Sequence, residues 1–162
     1  MRIATKSSKL NISKLENTKK IADIFAKNIF KGDVILFYGE IGVGKTTFIK
    51  SLVNSLEKID KKNISEITSP TFSLMNQYKL NKFDIHHYDL YRLKSEKDIL
   101  SLNIFEDISD KIVLIEWPEI LGEHKPRNAI DINFEYGENF NSRYLTISAC
   151  EKLKIFDEFK SL

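Results

Sequence analysis

The sequence contains one cysteine, Cys150, among 162 residues, so an internal disulfide is excluded and a reducing compartment is expected. It also lacks an uninterrupted run of about 20 apolar residues, which a membrane-spanning helix would need. Residues 1–11 are polar and show no apolar core of a signal peptide. These absences predict a cytoplasmic protein without a membrane segment.

Neither sign of charge is in clear excess, since the sequence has 25 Lys and Arg residues and 23 Asp and Glu residues. The formal net charge is +2. A balance this even does not support binding of DNA or RNA by electrostatic attraction alone. Hydrophobic residues make up 42% and charged residues 30%, which is typical of a globular protein. The chain contains no repeat or linker, so we expect one domain over residues 1–162.

The most informative stretch is an apolar run, Val34–Tyr38, followed by a glycine-rich turn and a segment with helical apolar spacing. The turn matches the pattern G-x-x-x-x-G-K-[ST], which predicts a strand, a phosphate-binding loop and a helix. Glycines let the backbone wrap an anion closely, and the following helix directs its positive end at the same anion. The predicted nucleotide-binding residues are Gly39, Glu40, Ile41, Gly42, Val43, Gly44, Lys45, Thr46 and Thr47.

Three side chains of this loop have separate predicted roles. Lys45 is expected to reach the β- and γ-phosphates as a positive charge and is a predicted catalytic residue. Thr46 is expected to offer its hydroxyl to Mg²⁺ that bridges the phosphates. Thr47 is placed to donate a hydrogen bond to a phosphate nearer the ribose.

Two carboxylates near the ends of predicted strands are candidates to complete the site. Glu116 directly follows the apolar run 112–115, which is typical of a buried parallel strand, and Asp89 lies near the end of the predicted strand 85–90. A phosphate-binding loop needs such carboxylates to hold Mg²⁺ and to orient the attacking group. Both are predicted catalytic residues, and which of them contacts the metal directly is left open.

Three further features have competing interpretations. Thr71 could approach the γ-phosphate, or it could belong to an ordinary turn built by Pro70. Asn81-Lys-Phe-Asp84 matches the guanine-reading N-K-x-D box, but the chain has no D-x-x-G switch, and a hairpin turn explains the match better. His86 and His87 alternate on one predicted strand, so they point to opposite faces; His87 could lie near the site, whereas His86 is interpreted as structural.

Periodicity and turn residues predict the remaining elements. Ser13 and Glu16 form a capping-box pattern at the start of a predicted helix. The predicted elements are an edge strand or arm over 2–11, a helix over 14–30, strand–turn–strand over 67–78, a helix over 95–102, a hairpin of 129–136 with 144–149, and a terminal helix or tail over 151–162.

Four stretches in this order resemble the bacterial TsaE family, also called YjeE, whose members are P-loop ATPases needed to make N6-threonylcarbamoyladenosine in tRNA. They are residues 39–48, Ser69-Pro-Thr-Phe72, His87-Tyr-Asp-Leu-Tyr-Arg92 and Glu116-Trp-Pro118. The resemblance extends from about residue 10 to about residue 148. It implies a single α/β P-loop NTPase domain with a mixed, mostly parallel central sheet flanked by helices and a C-terminal β-hairpin.

The resemblance also implies ATP and Mg²⁺ as cofactors. Thr46 and Glu116 would belong to the metal site, with Asp89 and Thr71 close to the γ-phosphate. Trp117 would have a functional role in addition to packing.

The partners implied by the resemblance are TsaB and TsaD, with tRNA reached only through their complex. ATP hydrolysis would reset this complex and would not itself transfer the threonylcarbamoyl group. Arg92 is a candidate for contact with either the nucleotide or a partner.

The chain departs from the family at Asn103, where a glycine is usual. Because Asn tolerates left-handed backbone conformations, we expect the turn to survive. The alternative function is a small-molecule P-loop kinase, although the four arginines are scattered and form no visible lid.

Overall fold

A computed structural model describes residues 5–150 and 155–162. The strands are β1 (Thr5–Lys6), β2 (Leu10–Asn11), β3 (Val34–Tyr38), β4 (Met75–Lys79), β5 (Asp84–Asp89), β6 (Lys111–Glu116), β7 (Ile130–Tyr136) and β8 (Arg143–Ala149). The helices are α1 (Leu15–Ala26), α2 (Lys45–Ile59), α3 (Glu96–Ser101) and α4 (Ile155–Glu158), with short 3-10 segments at Ile108–Asp110, Pro118–His124 and Phe159–Ser161. In the predicted arm and tail, residues 2–4 and 151–154 lie outside the described residues.

The strands form one sheet in the order β1-β8-β7-β3-β6-β5-β4, with β2 also paired to β8. The four central strands β7, β3, β6 and β5 are parallel to one another, whereas β8 and β4 pair antiparallel on either side. This arrangement confirms the predicted α/β fold with a mixed sheet, and β7 with β8 forms the predicted hairpin. Within the described part of the chain, no helix is both long and apolar enough to cross a membrane.

The register of the parallel strands aligns their carboxyl ends at one edge of the sheet. Glu116 at the end of β6 pairs with Asp89 at the end of β5 and with Phe37 of β3. Gly39 begins the glycine-rich loop directly after β3. Because ligands of α/β sheets bind at the carboxyl ends of strands, the fold brings the loop and both carboxylates to the expected place.

The sheet is covered on both faces, as continuous apolar strands require. Ile35 and Phe37 of β3 pack with α1 and α2, whereas Val34 and Leu36 face a second cluster that includes Ile99 of α3. The side chains of one strand thus divide between two cores.

The helix predicted over 14–30 ends at Ala26, and the capping box predicted from Ser13 and Glu16 is wrong. No side-chain hydrogen bond caps the first turn of α1. The Ser13 hydroxyl instead accepts a hydrogen bond from the backbone N–H of Arg143, at 2.9 Å. The Ser13 hydroxyl, which the capping pattern assigns to the first turn of α1, is therefore used in a contact with β8.

The first strand predicted within 67–78 is also wrong, because residues 62–70 have no regular structure and only β4 forms. Pro70 has no N–H to give a strand partner, and its carbonyl accepts from Leu74 N at 2.7 Å, which closes a turn. The predicted tolerance at Asn103 is confirmed, since this residue has a φ of +46°.

We predict that Phe48→Ala destabilises the protein by about 3–5 kcal/mol, because it opens a cavity in the core. The Phe48 ring is fully buried and lies 6.2 Å from Phe25, 6.2 Å from Phe37 and 5.9 Å from Phe134, between ring centroids. Urea unfolding measures the change in free energy. Phe30→Ala is the control, since that ring is exposed; equal effects of the two changes would contradict the assigned core.

Candidate functional site

The glycine-rich loop has a backbone that only glycine can adopt at its first position. Gly39 has a φ of +139°, and a Cβ placed there would lie 2.8 Å from the carbonyl oxygen of Phe134 on β7. Gly42 and Gly44 also have positive φ, of +76° and +118°. The loop therefore lies directly against β7 and wraps in front of α2, as a phosphate-binding loop does.

The Lys45 ammonium is held inside the loop. Its Nζ donates to the carbonyl oxygens of Gly39 at 2.5 Å and Glu40 at 2.9 Å, and lies 4.0 Å from the centroid of the Trp117 ring. The residue is 5% exposed. Burial lowers the pKa of Lys45, and nearby carboxylates, Glu116 foremost, oppose that shift. The position of the cation is thus fixed by two carbonyls and one aromatic face.

The Glu116 carboxylate connects the loop to the sheet. Thr46 Oγ1 donates to Glu116 Oε2 at 2.9 Å and lies 3.2 Å from Oε1. His87 Nε2 lies 2.8 Å from Glu116 Oε1, and since a carboxylate accepts, His87 donates this hydrogen bond. His87 is 0% exposed, and its Nδ1 is buried without a hydrogen-bond partner. Glu116 is therefore fixed from both sides by neighbouring elements.

The second carboxylate, Asp89, receives hydrogen bonds from the segment before β4 and from the chain after β5. Thr71 Oγ1 donates to Asp89 Oδ2 at 2.9 Å, and Ser69 Oγ lies 3.3 Å from the same oxygen. Tyr91 N donates to Oδ1 at 3.0 Å. The hydroxyl of Thr71 is thus placed beside Asp89 even though no strand precedes it.

Trp117 and Arg92 differ in their relation to the site. Trp117 has a φ of +57°, and its ring lies 4.8 Å from that of Tyr91 between centroids, at the cleft in front of the loop. The Arg92 guanidinium lies 5.4 Å from the centroid of the exposed Phe72 ring, and Arg92 does not line that cleft in the described structure.

A single open cleft of about 660 Å³ contains most of the predicted residues. Those that line it are Ile41, Gly42, Gly44, Lys45, Thr46, Thr47, Thr71, Asp89, Glu116 and Trp117. Gly39, Glu40 and Val43 lie on the β7 side of the loop and line a neighbouring cleft.

The donor atoms in the cleft suit Mg²⁺ bound together with a polyphosphate. Thr46 and Glu116 offer hard oxygen ligands, which Mg²⁺ prefers. Over residues 5–150 and 155–162, no cluster of three or more His, Cys, Asp or Glu side chains could hold a metal alone. Mg²⁺ commonly takes one or two protein ligands and completes its shell with phosphate oxygens and water, so the residues present fit this ion.

Two residues of the site, Ser69 and Tyr91, were given no role from the sequence, and His87 was expected only to lie near the site. His87 lies two residues before Asp89 on β5, so the two side chains share one face of the strand. This alternation indicates that His87 lies on the same side of the sheet as the candidate carboxylate. Ser69 stands two residues before Thr71 in the same motif. Tyr91 stands in the stretch His87-Tyr-Asp-Leu-Tyr-Arg92, but its side chain could not indicate its contact with Asp89, which is made by the backbone N–H.

Comparison with known proteins gives consistent matches over most of the chain. The family model described as "Threonylcarbamoyl adenosine biosynthesis protein TsaE" matches residues 12–145. A tRNA threonylcarbamoyladenosine biosynthesis protein TsaE of Rickettsia conorii is 38% identical over 132 residues, which cover 82% of this chain and 73% of the relative. The protein of the same name from Bacillus subtilis is 29% identical over 155 residues, covering 90% of this chain and 93% of the relative.

Among solved structures, the crystal structure of Bacillus subtilis YdiB has the same fold, with a TM-score of 0.73. The two sequences are 24% identical, and the match covers 99% of this chain and 97% of that chain.

We predict that His87→Leu destabilises the protein by about 1–3 kcal/mol, because it removes the shorter of the two hydrogen bonds to the buried Glu116 Oε1. In a Glu116→Gln background the same change should cost less, since a neutral amide oxygen is less costly to leave without this donor than a charged carboxylate is. Urea unfolding of the four proteins gives the coupling free energy directly. Strictly additive effects would contradict the hydrogen bond between His87 and Glu116.

Proposed function

Because the chain belongs to the TsaE family, we propose that it binds ATP with Mg²⁺ and hydrolyses it in the formation of threonylcarbamoyladenosine in tRNA. The observation that carries this proposal is the contact between Thr46 of the loop and Glu116 of β6, at 2.9 Å. It joins a phosphate-binding loop to a strand-end carboxylate, the combination that phosphoryl-transfer sites use.

In this proposal the loop holds the phosphates. Backbone N–H groups from Gly42 to Thr47 and the positive end of α2 face the anion. Lys45 exchanges its contacts with the Gly39 and Glu40 carbonyls for phosphate oxygens, and Thr47 donates nearer the ribose. The glycine conformations at the loop support this role.

Thr46 and Glu116 would hold Mg²⁺, which supplies charge that stabilises the phosphate oxygens when it is bound. Asp89 has a different task, because its contacts with Thr71 and Ser69 place it beside the predicted γ-phosphate position. We assign to Asp89 the orientation of the attacking water, with Thr71 as a hydroxyl near the γ-phosphate. Comparing how strongly Mg²⁺ increases ATP binding by Asp89→Asn and by Glu116→Gln tests which carboxylate contacts the metal directly.

We further propose that TsaB and TsaD are the partners, that tRNA is reached through their complex, and that hydrolysis resets this complex. Phe72, Tyr91 and Arg92 are exposed in and beside the segments that carry Thr71 and Asp89. Exposed aromatic and arginine side chains are typical of the central residues of protein interfaces. The Trp117 ring contacts the Lys45 ammonium, so a partner that docks on Trp117 would change the position of Lys45 in the loop.

The single thiol, Cys150, fits a cytoplasmic setting.

We predict that ATP hydrolysis is slow for the protein alone and is strongly stimulated by TsaB and TsaD together. Lys45→Ala should abolish the stimulated rate, and Glu116→Gln should lower it by at least about 100-fold, since an orienting or charge-stabilising group is lost. Phosphate release under steady-state conditions measures both effects, with Phe30→Ala as the unaffected control.

If the pair gives no stimulation and no complex forms with ATP present, the proposed partnership is wrong. The small-molecule kinase would then be the leading function. A panel of small phosphoryl acceptors with radiolabelled ATP would test it.

A second prediction separates turnover from binding. Glu116→Ala should still bind ATP through the loop, yet fail to restore threonylcarbamoyladenosine in cells that lack the native protein. Nucleoside analysis of their tRNA by mass spectrometry measures the modification. Full restoration by a variant with no measurable hydrolysis would show that ATP binding alone suffices.

A further inference from the structure

His87 is a buried residue of the site to which the proposed hydrolysis gives no role. Its side chain is 0% exposed, and it is not among the described residues that line the cleft in front of the loop. Over residues 5–150 and 155–162, the one hydrogen bond of its ring is the 2.8 Å contact from Nε2 to Glu116 Oε1. Any effect of His87 on a nucleotide in the cleft must therefore pass through Glu116.

The sheet fixes the His87 ring beside Glu116. His87 pairs with Leu114 across β5 and β6, and Glu116 lies two residues further along β6. Because side chains alternate along a strand, all three share the face of the sheet that packs against α2. Ile85, which is fully buried, precedes His87 by two residues on the same face. The position of the imidazole is therefore set by packed strands.

The two carboxylate oxygens of Glu116 have different surroundings. Oε1 lies 2.8 Å from His87 Nε2 and 3.2 Å from Thr46 Oγ1, whereas Oε2 lies 2.9 Å from Thr46 Oγ1. Thr46 lines the cleft, while the histidine is enclosed by the protein. The hydrogen bond from His87 thus holds Oε1 on the buried side and leaves Oε2 beside Thr46, the other predicted ligand of Mg²⁺.

The fold alone does not account for a histidine at this position. His87 Nδ1 is buried, and no group in the described part of the chain hydrogen-bonds to it. A buried polar atom without a partner costs free energy. Replacing both members of a buried polar pair by apolar groups of similar shape is often neutral or stabilising. The pair of His87 and Glu116 therefore indicates a task at the carboxylate in addition to packing.

We propose that His87 is a positioning residue for the metal: by holding Oε1 of Glu116, it presents Oε2 and the Thr46 hydroxyl together to Mg²⁺ or to a water bound to it. This inference rests on the proposed function, since it takes Mg²⁺ to bind at these groups together with the phosphates. Groups that hydrogen-bond to the ligands of a metal orient those ligands, and their loss typically weakens metal binding or activity by about 10- to 100-fold. His87 gives this support from β5 without contacting the nucleotide.

The test measures how much Mg²⁺ contributes to nucleotide binding. The probe is the β,γ-imido analogue of ATP, which is not hydrolysed, and isothermal titration calorimetry gives its dissociation constant with excess Mg²⁺ and with EDTA. We expect His87→Leu to raise the dissociation constant measured with Mg²⁺ by at least about 10-fold. The dissociation constant measured with EDTA should not change, because Lys45 and the rest of the loop are intact.

His87→Gln is the conservative variant, because its amide nitrogen is the same number of bonds from Cα as the imidazole Nε2 and can donate to Glu116 Oε1. It should bind the analogue with Mg²⁺ nearly as tightly as the unmodified protein does. His87→Asn, whose amide is one bond too short, should behave like His87→Leu and replaces it if that variant does not fold. Ile85→Val is the matched control, since it removes buried volume from the same face of β5 but no hydrogen bond.

Unchanged binding of His87→Leu with Mg²⁺ would overturn the inference. Equal losses with Mg²⁺ and with EDTA would also overturn it, since they would indicate a damaged cleft. A loss in His87→Gln or in Ile85→Val as large as that in His87→Leu would do the same, because packing and not the donor would then be responsible. If Mg²⁺ did not strengthen binding to the unmodified protein, or if that protein bound the analogue no better than Lys45→Ala does, the proposed function itself would fail, and this inference with it.

Discussion

The carboxylate of Glu116 is the point at which the loop, the sheet and the neighbouring strand meet. Thr46 reaches it from the start of α2, and His87 reaches it from β5. A buried carboxylate without donors is costly, so each of these hydrogen bonds is needed by the fold as well as by the site. A shift of the loop would therefore be transmitted to β5 through the Glu116 side chain.

The two carboxylates of the cleft have different surroundings. Glu116 is buried between groups from α2 and β5, and these elements are held by the core. Asp89 instead accepts hydrogen bonds from Ser69 and Thr71, which belong to an irregular segment of the chain. Irregular segments change position more readily than packed strands do. The geometry around Asp89 can therefore change with less disturbance to the core than the geometry around Glu116.

The sequence predicted those parts of the site that depend on local patterns. The loop from Gly39 to Thr47 carries its own motif, and Glu116 is marked by the apolar strand before it. The capping box at Ser13 failed because its hydroxyl binds Arg143, 130 residues away, which no local pattern records. His87 was expected near the site but without a partner, since its contact with Glu116 is known only when β5 and β6 are set in register.

The position of Lys45 has a consequence for selectivity among anions. Its ammonium already makes two hydrogen bonds to carbonyl oxygens and one contact with the Trp117 ring, so an incoming ligand must compete with groups of the protein itself. The net gain is the difference between the new contacts and those released. An isolated monovalent anion replaces them poorly, whereas a chain of linked phosphates offers several charged oxygens at once. In the proposed nucleotide site, this competition would favour multivalent anions over simple monovalent ones.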